Sequence, residues 1–317
     1  MLFIIHLSVV FATAMLLCMS VLIARRGLAE QQQTRDIRRA NEVTRAYLRR
    51  LAGAEDVVPP KAEPIALDAV LHLSQLLRGA ERDRMLEFAD GDGLFDLALT
   101  EMKRSRPPAR VKAIRMLGQF GSERCVESLR SAMAEDPRPE LRLEAAGALA
   151  QLGRLPSPAD TIAMLRLDHG PPTRLHLALL RSLAPTYLKE LGALLDGNIP
   201  LTLRCAIVDA IGWSGDYSAA DLIEQAARHE EPEMRCAALR AARQLGRPDA
   251  SRWILPLLAD SSPDVRVNAI RACETLRIRV AVDALELLLQ DRSWWVRSRA
   301  EEALATLRPN RPASIAA

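Results

Sequence analysis

Hydrophobic and polar residues follow three different rhythms along this chain. Residues 2–24, LFIIHLSVVFATAMLLCMSVLIA, form an unbroken apolar run without a charged residue. About 20 such residues cross a bilayer as a helix, so the pattern predicts a transmembrane helix. A cleaved signal peptide is the rival reading. It is disfavoured because nothing basic precedes the run, because the run outlasts a usual signal core, and because Arg25 and Arg26 stand where small residues would mark a cleavage site. From residue 31 the rhythm changes. In QQQTRDIRRANEVTRAYLRRLAG, Ile37, Ala40, Val43, Tyr47 and Leu51 recur at steps of three and four, with Arg38, Arg39, Arg45, Arg49 and Arg50 on the other faces. That spacing predicts an amphipathic helix. Pro59, Pro60 and Pro64 then mark a linker, since proline cannot continue a helix.

The third rhythm fills the rest of the chain and repeats. An arginine returns at Arg110, Arg142, Arg174, Arg204, Arg235, Arg266 and Arg297, every 30 to 32 residues. A period of this length is the mark of stacked supersecondary units. Three residues before the arginine stands Pro107, Pro139, Pro171, Pro232 or Pro263, with Pro200 four before, and proline is well tolerated in the first turn of a helix. Eleven residues after it comes Gly121, Gly153, Gly215 or Gly246, suited to a helix C-terminus. Each unit is therefore predicted as a helix A, a turn and a helix B opened by the proline. Six residues before the arginine lie Asp136, Asp168, Asn198, His229, Asp260 and Asp291. An acid ending helix A and an arginine starting helix B are placed to pair across the turn, and stacked units to extend the pairs into a ladder. The ladder set is Asp136, Arg142, Asp168, Arg174, Asn198, Arg204, Arg235, Asp260, Arg266, Asp291 and Arg297, and its recurrence argues for a structural duty.

The units, with their "D…P.VR..A...L..LG" pattern, resemble HEAT repeats, in particular the short HEAT-like repeats first associated with phycobilisome lyases. The resemblance covers residues 94–308, with less regular capping helices in 64–93, and implies an all-α solenoid of about seven helix pairs. It departs at Arg181, where sibling repeats have Leu or Ile, and at the last repeat, where Trp294 replaces the proline and Glu301 faces outward as a terminal cap requires. The expected organisation is an anchor in 1–24, a basic helix and linker in 25–63, repeats in 64–308 and a tail in 309–317. Some proteins with such repeats are enzymes, so a HEAT-like lyase or enzyme-activating protein is the alternative to a scaffold. Those that hydroxylate a modified lysine carry several His-Glu pairs for two irons. This chain has one, His229-Glu230, among five histidines.

Composition narrows the picture. Aromatic residues make up 4% of the chain against 49% hydrophobic, a diet of Leu, Ala, Val and Ile that suits packed helices. The net charge of +3 hides eight arginines between Arg25 and Arg50 against Glu30, Asp36 and Glu42, so the repeat region is near neutral and a poor nucleic-acid surface. Positive charge after the apolar run places the C-terminal bulk in the cytoplasm of a single-pass inner-membrane protein. The arginines of 25–50 either meet anionic lipid headgroups or merely fix topology. Five cysteines without CxxC spacing read as small core residues. Asp90, Asp92 and Glu101 mimic a calcium loop, but Leu94 and Phe95 occupy positions that need a ligand and a glycine, so DGDG is expected as a turn opening a helix. No catalytic constellation, metal set or cofactor motif is present. Trp294-Trp295 is expected to pack under the terminal repeat, with a binding anchor as the other reading. Positions two, five and nine after the repeat arginine vary in character and are expected to line a partner groove: Arg115, His176, Leu179, Leu183, Asp209, Trp213, Arg240, Gln244 and Arg271. The expected function is a membrane-anchored adaptor for a protein partner, such as an enzyme or transporter handling an envelope polymer.

Overall fold

Proline and glycine punctuate the helices of this protein much as their positions in the chain require. The computed structural model describes residues 2–54, 57–104 and 106–308, with side chains throughout except at 2–14, 16, 24, 27, 29, 104 and 248. Among these residues the regular elements are helical: α1 (Leu2–Leu51), α2 (Pro64–Leu76), α3 (Gly79–Gly91), α4 (Leu94–Arg104), α5 (Pro107–Phe120), α6 (Glu123–Glu135), α7 (Pro139–Gln151), α8 (Pro158–Leu165), α9 (Arg174–Leu195), α10 (Leu201–Ile211), α11 (Ala220–Ala227), α12 (Pro232–Leu245), α13 (Ser251–Ile254), α14 (Pro263–Thr275), α15 (Val282–Leu287) and α16 (Trp294–Leu307). Proline opens α5, α7, α12 and α14, where its missing N–H costs no hydrogen bond. The residue eleven after the repeat arginine takes the left-handed conformation in five of the seven repeats, at Gly121, Gly153, Gly215 and Gly246 (φ 67°, 64°, 70° and 77°) and at Arg277 (φ 55°). Arg277 tolerates a conformation that favours glycine. Its guanidinium donates to the Thr306 carbonyl at 3.3 Å, near the end of α16.

The chain divides into two compact units, residues 1–129 and 130–317. In the first, α1 packs on α2 and α3, α2 on α5, and α4 on α5. Only part of the predicted amphipathic face of α1 is used: Val43 and Tyr47 are buried, while Ile37 is 53% exposed. Tyr47 donates its hydroxyl to Asp92 Oδ2 at 2.8 Å, and Arg50 Nη1 donates to the same oxygen at 2.6 Å. The Arg50 guanidinium also lies over the Phe88 ring, 4.4 Å from its centroid. Burial first, and then the bond to Asp92, raise the Tyr47 pKa. Asp92 thus fastens α1 to the end of α3. Gly93, at φ 80°, turns the chain into α4, whose Leu94 and Phe95 are core residues.

The single-pass membrane assignment is overturned: among the described residues no helix is long and apolar enough to cross a membrane. The exposed large apolar side chains described in α1 are Met15, Leu17, Met19, Val21, Leu22 and Ile23, with Leu28, Ile37 and Leu48 further along. The side chains at 2–14 and the tail 309–317, on which other parts of that expectation fell, lie outside the described residues. Nor is the basic stretch of 25–50 uniformly presented outward, since Arg50 is tied to Asp92 and Arg39 to Glu42 and Glu63.

In the second unit the B helices pack side by side in the order α9, α10, α12, α14, α16, with α11 lying against α12 and α15 against α16. Leu, Ala, Val and Ile from both helices of each pair fill the core, including Ile207, Leu239, Ile270 and Val296. The closest approach is at Gly212: a Cβ there would lie 2.6 Å from Ala241 Cα, so α10 and α12 meet where only glycine fits. The irregular third repeat has a cause. Helix B of that repeat and helix A of the next run together as α9, kinked at Pro185 with Tyr187 outside helical geometry. Pro185 removes an N–H and crowds the preceding turn, bending the helix without ending it.

Trp294 and Trp295 do not pack under the terminal repeat; they are 64% and 45% exposed and meet edge to face at 4.9 Å. Trp294 holds the place of the exposed prolines in the first turn of helix B, and Val296 supplies the buried side chain instead.

Candidate functional site

The recurring acid and arginine organise each turn in two directions. Arg266 Nη1 donates to the backbone carbonyl of Asp260 at 2.8 Å and to that of Ser261 at 3.1 Å. Within a repeat the arginine therefore holds the turn's carbonyls rather than the carboxylate. The carboxylate is occupied elsewhere. Asp260 Oδ1 accepts the Ser262 N–H at 2.9 Å, covering a donor that the start of α14 leaves free. Both its oxygens also accept from Arg235, Nε and Nη2, at 2.8 Å each. Arg235 belongs to the previous repeat, so the bidentate pair joins stacked units. The next rung repeats the design: Arg266 Nη2 donates to Asp291 Oδ1 at 2.8 Å, Asp291 accepts the Ser293 N–H at 2.8 Å, and Arg297 holds the Asp291 carbonyl. Burial by itself would raise these carboxyls; the arginine and backbone hydrogen bonds outweigh it and hold Asp260 and Asp291 below the usual range.

The other half of the ladder set behaves differently. Arg142 is buried and donates to the Asp136 carbonyl at 2.9 Å, while Asp136 Oδ1 caps the Arg138 N–H at 3.0 Å. Asp168 instead meets its neighbour His169 at 2.7 Å on the surface, and Arg174 and Asn198 are exposed. Arg204 has a buried Nε without a hydrogen-bond partner among the described residues. The residue that would complete its rung is His229, whose Nδ1 accepts the Glu231 N–H at 3.1 Å but which brings no carboxylate.

Where the edge ladder lapses, a charged pair appears on the inner face of the B helices. Arg181 occupies a position held by Leu149, Ile211, Ala242, Cys273 and Leu304 in sibling repeats of this unit. One repeat on, Asp209 stands where later siblings carry Arg240 and Arg271. The two departures compensate each other: Arg181 Nε and Nη2 donate to Asp209 Oδ2 at 2.9 and 2.6 Å. Arg240 Nε stands 3.6 Å from the other Asp209 oxygen. The Arg181 guanidinium also lies 5.0 Å from the ring centroid of Trp213, which is 44% exposed. A planar cation on an indole face is favourable by about 0.5–2 kcal/mol and leaves one face of the ring open. Arg181, Asp209 and Arg240 line an open groove of about 820 Å³ together with Leu177, Cys205, Cys236, Glu233 and Asp264.

The expected groove set is only partly brought together. Asp209 and Arg240 line the groove, Trp213 and Gln244 are exposed close by in sequence, and Arg271 is half-buried on α14. Leu179 and Leu183 are core residues, 6% and 2% exposed, while Leu175, at an offset that is apolar and core-facing in other repeats, is 61% exposed, so the buried face of α9 is out of the regular register. His176 belongs to the cap of α9: Thr173 Oγ1 accepts its N–H and its Nδ1 accepts the Thr173 N–H, while burial lowers its pKa. Arg115 lies on α5, in the first unit. Sequence reasoning missed Arg181 as a site residue, although its charge at an apolar position was the signal. The cysteines are free thiols, and burial pushes Cys205 up to about 11 and Cys273 up to about 12.

Residues 95–184 and 251–317 match the family model described as HEAT repeats. The stretch between them, 185–250, folds into the same paired helices, α10 to α12. No curated protein sequence matches the chain. Solved structures similar to it include human deoxyhypusine hydroxylase in complex with glycerol, 20% identical, covering 86% of this chain and 97% of that one with a TM-score of 0.34. Two engineered proteins are similar at 14% and 17% identity, covering 84% and 68% of this chain and 78% and 98% of theirs, with TM-scores of 0.36 and 0.32. Likenesses this slight carry no activity across.

Proposed function

We propose that this protein is a non-catalytic HEAT-repeat scaffold that holds a partner protein in the groove formed by α9, α10, α12 and α14. The observation that carries the reading is the Arg181–Asp209–Arg240 floor beside half-exposed Trp213. Arginine and tryptophan are the side chains that dominate protein interfaces, and here arginines line a depression with a tryptophan against one of them. Arg181 is held there at a position where an apolar residue would serve the core, and burying a charge is worth its desolvation only where the charge has a use or a firm partner.

A photo-crosslinking amino acid placed at Trp213, and separately at exposed Leu287 on α15, tests the reading in cells that make the protein. The expected result is one dominant polypeptide adduct from position 213. Adducts only from position 287, or none from either, would remove the groove as the working surface.

A further inference from the structure

We infer that the stripe running across α12, α14 and α16 docks an acidic segment of the partner protein, with two carboxylates about 10 Å apart seated on Arg240 and Arg271. The inference rests on the scaffold reading above and specifies the chemistry of what is held.

Five residues after the repeat arginine, four successive B helices carry Asp209, Arg240, Arg271 and Glu302. The outer two are satisfied within the protein: Asp209 by Arg181 at 2.6 Å and Glu302 by Arg299 at 2.5 Å. The inner two are not satisfied in the same way. Arg240 approaches Asp209 only to 3.6 Å, and Arg271 makes no ion pair among the described residues. Arg243, one turn beyond Arg240, donates to Thr275 Oγ1 at 3.2 Å. Burial, and next the charge of Arg271, hold the Arg243 guanidinium below the usual arginine value; Glu274 opposes this and Arg240 and Arg299 add to it. Glu274 itself accepts the Thr306 hydroxyl at 3.2 Å. Like charges are crowded here with fewer carboxylates than guanidiniums, a state that an incoming carboxylate relieves.

The bounds of the stripe select the class of ligand. A nucleic acid gains affinity by neutralising phosphates along its whole length. Here the basic stretch covers two repeats and stops at an acid on each side, Asp209 and Glu302. A short acidic segment fits this better. Neighbouring helices lie about 8–10 Å apart, and carboxylates three residues apart on a polyproline II chain, at about 3.1 Å per residue and three residues per turn, share one face at that spacing.

The test uses the full chain at low ionic strength and fluorescence anisotropy of a labelled peptide bearing two Glu three residues apart, its Gln counterpart, and a short oligothymidylate. The Glu peptide should bind, the Gln peptide should not, and added salt should weaken binding. Arg240→Gln with Arg271→Gln should weaken it roughly tenfold or more. Since Arg271 is half-buried, Gln244→Glu serves as a second variant: it adds a negative charge one turn from Arg240 at an exposed position and should weaken binding several-fold with unchanged helicity. Equal binding of the Glu and Gln peptides, or indifference to Gln244→Glu, would overturn the assignment. So would tighter binding of the oligothymidylate through the same arginines. A polypeptide adduct from position 213 alongside a silent Glu peptide would sink the acidic ligand and leave the scaffold standing.

Discussion

Residues 232–308 and residues 158–229 are built on the same repeat, yet they place their charged pairs on different faces. In the later region Arg235–Asp260 and Arg266–Asp291 join one turn to the next along the edge of the stack. In the earlier region Asp168 turns to His169, Asn198 and His229 replace acids, and the pair that forms is Arg181–Asp209 at the groove floor. The difference shows that the rung is an addition to the fold rather than a condition of it. Apolar packing and turn carbonyls suffice to stack α9, α10 and α12 without it. Where the rung is absent, a charged pair sits on the inner face instead, beside an exposed tryptophan. Regularity marks the part where the rungs join the repeats, and departure marks the part where the charged pair moves to the inner face.

The largest expected effect comes from breaking a rung. Asp260→Ala leaves Arg235, a well-buried arginine, without its carboxylate and uncaps Ser262, and should cost about 3–5 kcal/mol. Asp168→Ala, in the lapsed half, should stay within about 0.5 kcal/mol. Urea melts of the two variants decide this, and equal losses would abolish the distinction between the regions. The same rungs set an acid limit. Because the folded carboxyls titrate below their unfolded value, their contribution is complete above about pH 4 and is lost as pH falls through the depressed folded pKa. Asp260→Ala should therefore flatten the acid limb of the stability profile.

A smaller effect is expected at the groove floor. Asp209→Ala leaves half-buried Arg181 unpaired and should cost about 1–3 kcal/mol. Combining Arg181→Leu with Asp209→Arg installs the sibling residues at both positions and should recover most of the loss, giving strong non-additivity in a double-mutant cycle. Simple additivity would mean that the two departures are unrelated.

The smallest change is a gain. His229→Asp would keep the cap on the Glu231 N–H and offer Arg204 a carboxylate, adding a rung where none exists. It should raise stability by about 0.5–1.5 kcal/mol. A neutral or destabilising result would show that the spacing of α10 and α12, fixed at Gly212, cannot accept the rung.

The sequence by itself determined the helices and their period. Pro139, Pro232 and Pro263 open helices and Gly246 closes one because those preferences are local, set by a missing N–H and an absent Cβ. It also pointed to the acid and arginine as a stacking device, though not to the partner of each. Tertiary structure alone decided that Asp260 serves Arg235 rather than Arg266, since Ser262 and the turn carbonyls claim the groups within the repeat. It decided that Arg181 could stand at an apolar position, because Asp209 reaches it from the next helix. It buried Leu179 and Leu183 where regular register would expose them, and exposed Leu175 instead, on a helix kinked at Pro185. It also left Trp294 and Trp295 outside, since the first two positions of a B helix face away from the core and the third, here Val296, faces in. An offset along the chain names a face only while neighbouring helices keep the same register. Which groups meet across that face depends on side chains some 25 residues apart, a separation no local preference encodes.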